Sequence, residues 1–556
     1  MVIAYLAWLA RLTWWWLRGL VGRWRRPPAY LAFLIESPPP EPPPAPAPRW
    51  QRLLGRPTPS LAELRRRARR LCADDRVAGM LLHLRPLPLS AAQVASLRDL
   101  IAEVRATGRR VVCWAPTYLD STYQVACAAD EILLQPGGSV APLGVAQNYV
   151  FLAESLERVG LQADLLQISP YKTAGDALTR RGFTPEAREM ADWLADAAFS
   201  ELLEAVAAGR GCDRDAARRV VDESPYTDRQ ALSAGVVDAV ISEEEVPGRL
   251  GGELRSWESA GRRVRGLRPP RPGHVVGLLR VEGVIVDGRS RRAPLRPPLR
   301  PPLLLEDQCG DLTIVEQARA LAANRRVRAV VVWVNSRGGS ATASESMAAA
   351  LARLAREKPL VVAMGSVAAS GGYYVSTPAR CVFAHPGTVT GSIGVLGGKL
   401  VATSLFDRLL LHRELVQRGR HAAMDRPDRP YTEAERQKLW EMIERSYEVF
   451  VQRVAEARGR TVEEILPIAG GRVWTGRQAM ERGLVDRLGG LEEAIAAARE
   501  LAGLPGDAPV IEARGGRRDP VGPPSTTAAI EHALELVATL DRSVVWWLCP
   551  LVREEP

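Results

Sequence analysis

Runs of unbroken apolar residues, each followed by a stretch with helical spacing, recur along this 556-residue chain. Ala29-Tyr-Leu-Ala-Phe-Leu-Ile, Ala78-Gly-Met-Leu-Leu-His-Leu and the run at 110–115 are strand-like, and an apolar run without alternation is the pattern of a strand buried on both faces. Residues 91–107 place apolar side chains at helical intervals between two of them. The plan then returns: strand 275–281, helix 312–323, strand 328–334, helix 342–356, strand 359–364. Strands alternating with helices pair in parallel through right-handed crossovers, so the pattern predicts an α/β fold.

The repetition extends to the residues themselves. Displaced by 250 positions, Tyr123, Val125, Ala129, Pro136, Gly137, Gly144 and Val145 fall on Tyr373, Val375, Ala379, Pro386, Gly387, Gly394 and Val395. Further on the register slips by two, and Tyr226-Thr-Asp-Arg-Gln-Ala-Leu falls on Trp474-Thr-Gly-Arg-Gln-Ala-Met. Such self-similarity sets the architecture before any residue receives a role. The predicted divisions are a first repeat at 28–250, a polar linker rich in Arg, Gly and Pro at 251–272, a second repeat at 273–505 and a C-terminal extension at 506–556. Proline runs at 37–48 and 294–302 predict extended loops, and a tail helix is expected near 526–548.

Residues 1–26 stand apart as a membrane-associated helix. Positions 2–22 are apolar and rich in tryptophan, interrupted by Arg11 and Arg18, which share a helix face with Arg25. A span needs about twenty apolar residues, and an arginine at its centre costs about 2.5–3.5 kcal/mol. The segment therefore reads as a helix lying in the interface or a short span with snorkelling arginines.

Composition narrows the function. The net charge of +10 comes from arginine, since only four of 74 basic residues are lysines (Lys172, Lys358, Lys399 and Lys438), and much of the excess sits in the N-terminal segment and at 262–300. That distribution argues against a nucleic-acid groove. The seven cysteines form no C-x-x-C pair and the six histidines no ligand spacing, so neither a metal nor another cofactor is expected.

Two strand-to-helix turns carry candidate chemistry. Val330-Val-Val-Trp-Val-Asn-Ser-Arg-Gly-Gly-Ser leads a buried strand into a Gly-Gly turn, where glycine permits positive φ and exposed N–H groups suit an oxyanion. Ala363-Met-Gly-Ser-Val-Ala-Ala-Ser370-Gly-Gly-Tyr-Tyr places Ser370 on a small-residue turn, a site equally suited to a helix N-cap. In the repeat register Ser370 faces Asp120 and Lys172 faces Ala422. A serine nucleophile needs a base, and a lysine serves when burial keeps it neutral. One copy thus carries the nucleophile type and the other the base type. His385 is read as a core or surface residue.

On Asn335-Ser-Arg-Gly-Gly-Ser, Ala368-Ala-Ser-Gly-Gly-Tyr, Thr390-Gly-Ser-Ile-Gly-Val and Tyr171-Lys-Thr-Ala, residues 28–505 resemble the long form of the signal peptide peptidase A family, membrane-anchored serine proteases. The resemblance implies tandem caseinolytic protease/crotonase-like domains built as β-β-α superhelices. It implies Ser370 as nucleophile, Lys172 as general base, Ser392 (facing Pro142 in the first copy) as the serine bonded to that lysine, and Gly338 and Gly371 as the oxyanion hole. It further implies hydrophobic peptide substrates such as remnant signal peptides, a homotetramer, and a place on the bacterial inner membrane with the catalytic domains extracytoplasmic. Three departures are Arg337 where the family has proline, no basic residues ahead of the apolar run, and a tail outside the resemblance beyond about 510. The expected function is a membrane-associated Ser–Lys endopeptidase without cofactor. The alternative is a catalytically impaired member acting as a scaffold or quality-control partner. A crotonase-type acyl-CoA enzyme shares the turn but needs acid/base carboxylates near it, and Asp120, the one that fits in kind, belongs to the degenerate copy.

Overall fold

The computed structural model describes residues 2–22, 26–43, 58–267, 269, 273–291, 307–513 and 544–547. The first repeat holds β1 (Tyr30–Ile35), β2 (Gly79–Leu84), β3 (Arg110–Leu119), β4 (Glu131–Ala141), β5 (Gln162–Gln167), β6 (Tyr226–Thr227), β7 (Ala239–Val240) and β8 (Leu254–Ser256). Its sheet runs β6-β4-β3-β2-β1-β8, with β7 on β4. The second holds β9 (Val275–Glu282), β10 (Val284–Val286), β11 (Gln308–Gly310), β12 (Val327–Ser336), β13 (Gly339–Ser340), β14 (Leu360–Ala369), β15 (Cys381–Ala384), β16 (Val389–Gly391), β17 (Leu396–Val401), β18 (Val473–Thr475), β19 (Arg487–Leu488) and β20 (Val510–Glu512), and β21 (Val544–Trp547) lies in the tail. Its main sheet runs β18-β16-β14-β12-β9-β20. The two orders correspond strand for strand, so the repeat in sequence is a repeat in topology.

The apolar runs become central strands because both faces are covered. Leu31, Phe33, Met80, Leu82, Val111 and Cys113 enter one buried cluster, while their neighbours Tyr30, Leu81, Val112 and Trp114 enter another on the opposite face. The second repeat does the same with Val330, Val332 and Val334 on one side and Val331 and Trp333 on the other.

A third sheet, ordered β11-β10-β13-β21-β17-β5, joins the repeats. In it β5 of the first repeat pairs antiparallel with β17 of the second, from Gln167 opposite Leu396 to Gln162 opposite Val401. This sheet carries the lysine segment across to the serine.

Two expectations change. Residues 254–256, assigned to the linker, add β8 to β1 and so extend the first sheet. The tail forms a strand at 544–547, not a helix, antiparallel to both β13 and β17, whose facing edges offer main-chain groups to β-branched and aromatic residues; positions 526–543 and the proline loop 294–302 lie outside the described residues. Helix Val2–Gly22 rests on the linker, where Trp8 Nε1 donates to Pro269 O (3.2 Å) and Trp15 Nε1 to Gly266 O (2.6 Å). Tyr5, Leu6, Leu9, Trp14 and Trp16 are exposed. Among the described residues no helix is long and apolar enough to cross a membrane.

Candidate active site

Strand β14 ends at Ala369, and the chain turns at Ser370 into the short helix Gly371–Tyr374. Ser370 adopts φ 55° and ψ −117°, a conformation that costs about 1–3 kcal/mol and persists only where the surroundings enforce it. Enforcement comes from its N–H, which donates to Gly391 O (2.8 Å), and its carbonyl, which accepts from Tyr374 N–H (2.9 Å). The small residues after it are required by space. A Cβ on Gly371 would lie 2.6 Å from Ser344 Oγ, and one on Gly372 2.5 Å from Ser336 O.

Lys172 arrives from the other repeat. After β5, Ile168 N–H donates to Val395 O (3.0 Å), and a turn closed by Lys172 N–H to Ser169 O (3.1 Å) sends the side chain inward. Its Nζ lies 2.8 Å from Ser370 Oγ, 3.0 Å from Ser392 Oγ and 3.0 Å from Ser392 O. Lys172, Ser370 and Ser392 are all fully buried. Ser392 also holds a positive φ, 52°, with its N–H bonded to Arg472 O (2.7 Å). The three residues singled out for nucleophile, base and support are therefore within hydrogen-bond distance, although 198 residues of chain separate the first two.

The two glycines also meet. A Cβ on Gly371 would stand 3.2 Å from Gly338 Cα and 3.4 Å from Gly339 N. Gly371 opens its helix, so its N–H is one of the first-turn donors without an intrahelical acceptor. Gly338, at φ 104°, donates its N–H to Ser336 Oγ (3.1 Å), which itself donates to Gly283 O (2.6 Å). Ser336 had no assigned role in the sequence, although it stands in the Asn-Ser-Arg-Gly-Gly motif.

The counterparts in the first repeat are structural. Asp120 Oδ1 accepts from Gly144 N–H (2.8 Å), and burial pushes its carboxyl up from the ordinary range. Pro142 O accepts from Ser224 Oγ (3.1 Å). His385 is buried, with the same Nε2 facing Ser96 Oγ (3.0 Å) and Glu41 Oε1 (3.4 Å). A catalytic base would use one ring nitrogen for the hydroxyl and the other for the carboxylate. Lys399 is buried too, but its amine donates to Met424 O (2.6 Å) and faces the Tyr431 ring. Among the described residues no cluster of His, Cys, Asp and Glu is set to hold a metal ion.

The model of Peptidase family S49 matches residues 103–253 and 352–505, segments that contain Lys172, Ser370 and Ser392. The chloroplastic serine protease SPPA of Arabidopsis thaliana is 28% identical over 461 residues, covering 80% of this chain and 66% of that protein. Protease 4 of Salmonella typhi is 31% identical over 457 residues, covering 78% of this chain and 71% of that one. Protease 4 of Haemophilus influenzae is 26% identical over 460 residues, with 77% and 71% covered.

Proposed function

The chain belongs to Peptidase family S49, the serine-type peptidases, and from that premise we propose that it is a membrane-associated endopeptidase working through a Ser370–Lys172 dyad. The observation that carries this is the 2.8 Å separation of Lys172 Nζ and Ser370 Oγ inside a buried site. A neutral amine has two N–H donors and one lone pair. Ser392 O and Oγ stand ready for the two donors, which leaves the lone pair for the Ser370 proton. Burial favours that neutral form. Ser370 Oγ attacks the peptide carbonyl, Lys172 takes its proton, and the resulting ammonium protonates the leaving amine.

The N–H groups of Gly371 and Gly338 hold the oxyanion, with Gly338 exchanging the Ser336 hydroxyl for the substrate oxygen. Loss of one such donor typically costs about 10²–10³ in kcat. The gap between β13 and β17 accepts an antiparallel strand, since Val544–Trp547 lies there. An extended peptide in the same gap is held by main-chain ladder bonds, which suits apolar substrates of varied sequence such as remnant signal peptides. The caseinolytic protease/crotonase-like superhelix is the fold class these duplicated sheets suit. The exposed apolar side of helix Val2–Gly22 supports contact with a bilayer surface, with the catalytic domains on the extracytoplasmic side of a bacterial inner membrane. A homotetrameric ring completes the proposal, and exposed Leu409, Leu410, Leu411 and Val416 offer apolar surface to a neighbouring copy.

Purified chain incubated with a fluorogenic apolar peptide and a fluorophosphonate tests the dyad. Ser370→Ala and Lys172→Ala should each lower cleavage by at least about 10³-fold with folding retained, and the probe should label Ser370. Full activity in either variant overturns the dyad. A wild-type chain that neither labels nor cleaves favours the impaired scaffold instead.

A further inference from the structure

Lys172 is the one member of the proposed dyad supplied by the first repeat, and its turn must be pressed onto the second. Backbone begins the task. Ser169 Oγ donates to Gly470 O, and a Cβ on Gly471 would fall 2.5 Å from Lys172 Cα. A row of flat side chains continues outward. The Arg472 guanidinium lies 3.8 Å from the Tyr171 ring centre, Tyr171 stacks on Trp193 (6.5 Å, 20°), Trp193 on Trp474 (4.8 Å, 11°), and Arg482 covers Trp474 at 3.9 Å. Tyr171 and Trp193 come from the first repeat; Arg472, Trp474 and Arg482 come from the second.

Hydrogen bonds tie this row to the dyad on both sides. Tyr171, next to Lys172 in the chain, donates its hydroxyl to Glu189 Oε2 (2.7 Å), one turn before Trp193 on helix Pro185–Arg210. Trp193 Nε1 donates to Val473 O (2.9 Å), and the preceding Arg472 O receives the N–H of Ser392. The lysine turn, the helix and the segment whose Arg472 carbonyl holds Ser392 are therefore tied together. Offset stacking and cation–π contacts favour this single arrangement.

We propose that Trp193 is a positioning residue, which through the Tyr171–Trp193–Trp474 stack sets the distance between the Lys172 amine and the Ser370 hydroxyl. The inference rests on the dyad proposed above. Trp193 acts through Lys172, so its loss should fall on kcat and on the protonation of the base, with substrate affinity spared.

The test compares Trp193→Ala, Trp193→Phe and Lys172→Ala in the full chain with a fluorogenic peptide, alongside circular dichroism. Trp193→Ala should lower kcat by roughly 10–100-fold, the scale of an ångström of misplacement, with KM within about twofold. Its acidic limb in kcat/KM against pH should move to higher pH, because an amine released toward water is protonated more readily. Trp193→Phe keeps a ring in the stack and should recover most of the rate. A wild-type kcat in Trp193→Ala, or a loss that tracks the folded fraction with an unmoved acidic limb, overturns the inference. With Lys172→Ala inert, either outcome overturns this inference alone; full activity in Lys172→Ala overturns the dyad and this inference together.

Discussion

Ser370 keeps its strained backbone because Gly391 O and Tyr374 N–H hold its two main-chain groups, and Lys172 keeps its place because Gly471 packs directly against it. At Gly471, with φ 92°, an added Cβ meets Lys172 Cα at 2.5 Å and Cβ at 2.7 Å. Gly471→Ala should therefore push the lysine turn away, lowering kcat by about 10²-fold or more and Tm by several degrees; a peptide assay and a thermal melt read both, and an unchanged rate would mean the turn yields elsewhere. Asp120, which stands in the first copy where Ser370 stands in the second, behaves oppositely. Burial opposes its ionisation, so the folded carboxyl titrates above the unfolded one, and its contribution to stability declines as pH rises through that range. Asp120→Asn keeps an acceptor for Gly144 N–H. It should leave activity unchanged and Tm at pH 7 equal or slightly higher, with the gap to wild type closing in acid. A large loss of activity would give Asp120 a role that its hydrogen bond does not suggest.

Among elements, the sheet shared by the repeats matters most. Its strand β21 has β13 on one side and β17 on the other, with Trp546 opposite both Ser340 and Leu396. An inner strand spends each N–H on one neighbour or the other, so proline within it removes a ladder bond. Val545→Pro should loosen the tail and, if added peptides use the same gap, raise kcat/KM for them; equal kcat/KM in the two chains would mean that tail and substrate do not compete. The strands themselves were legible in the sequence. The run at 328–334 becomes β12 because uninterrupted apolar residues serve two covered faces, and β14 runs on to Ala369, beyond the expected end at 364, because small residues through the turn remain in the ladder. The tail was not legible, since Val-Val-Trp-Trp suits a helix face or a strand equally until an open edge is available.

At the scale of the whole molecule, the two copies meet so that Lys172 of the first lies 2.8 Å from Ser370 of the second. Both groups of the proposed dyad lie within one chain, so a mixture of Ser370→Ala and Lys172→Ala chains should stay inactive at any ratio; recovered activity would mean the two groups meet between chains. Dependence on pH follows from the proposed role of Lys172, which as a base must be neutral to accept a proton. Cleavage should fall as pH is lowered and the amine is protonated, and a rate that holds steady in acid would count against lysine as the base.

The sequence by itself determined the repeat, the alternation of buried strands with helices, and the complementary loss of serine and lysine from opposite copies. These are properties of residue order and local spacing, and they survive any arrangement of the two units in space. Tertiary structure alone decided that β5 pairs with β17, that Lys172 reaches Ser370 and Ser392, and that Trp193 of one repeat stacks on Trp474 of the other. Each depends on which surfaces meet when two sheets are joined by a third. No local pattern encodes such a meeting, because its free energy comes from burying both partners at once.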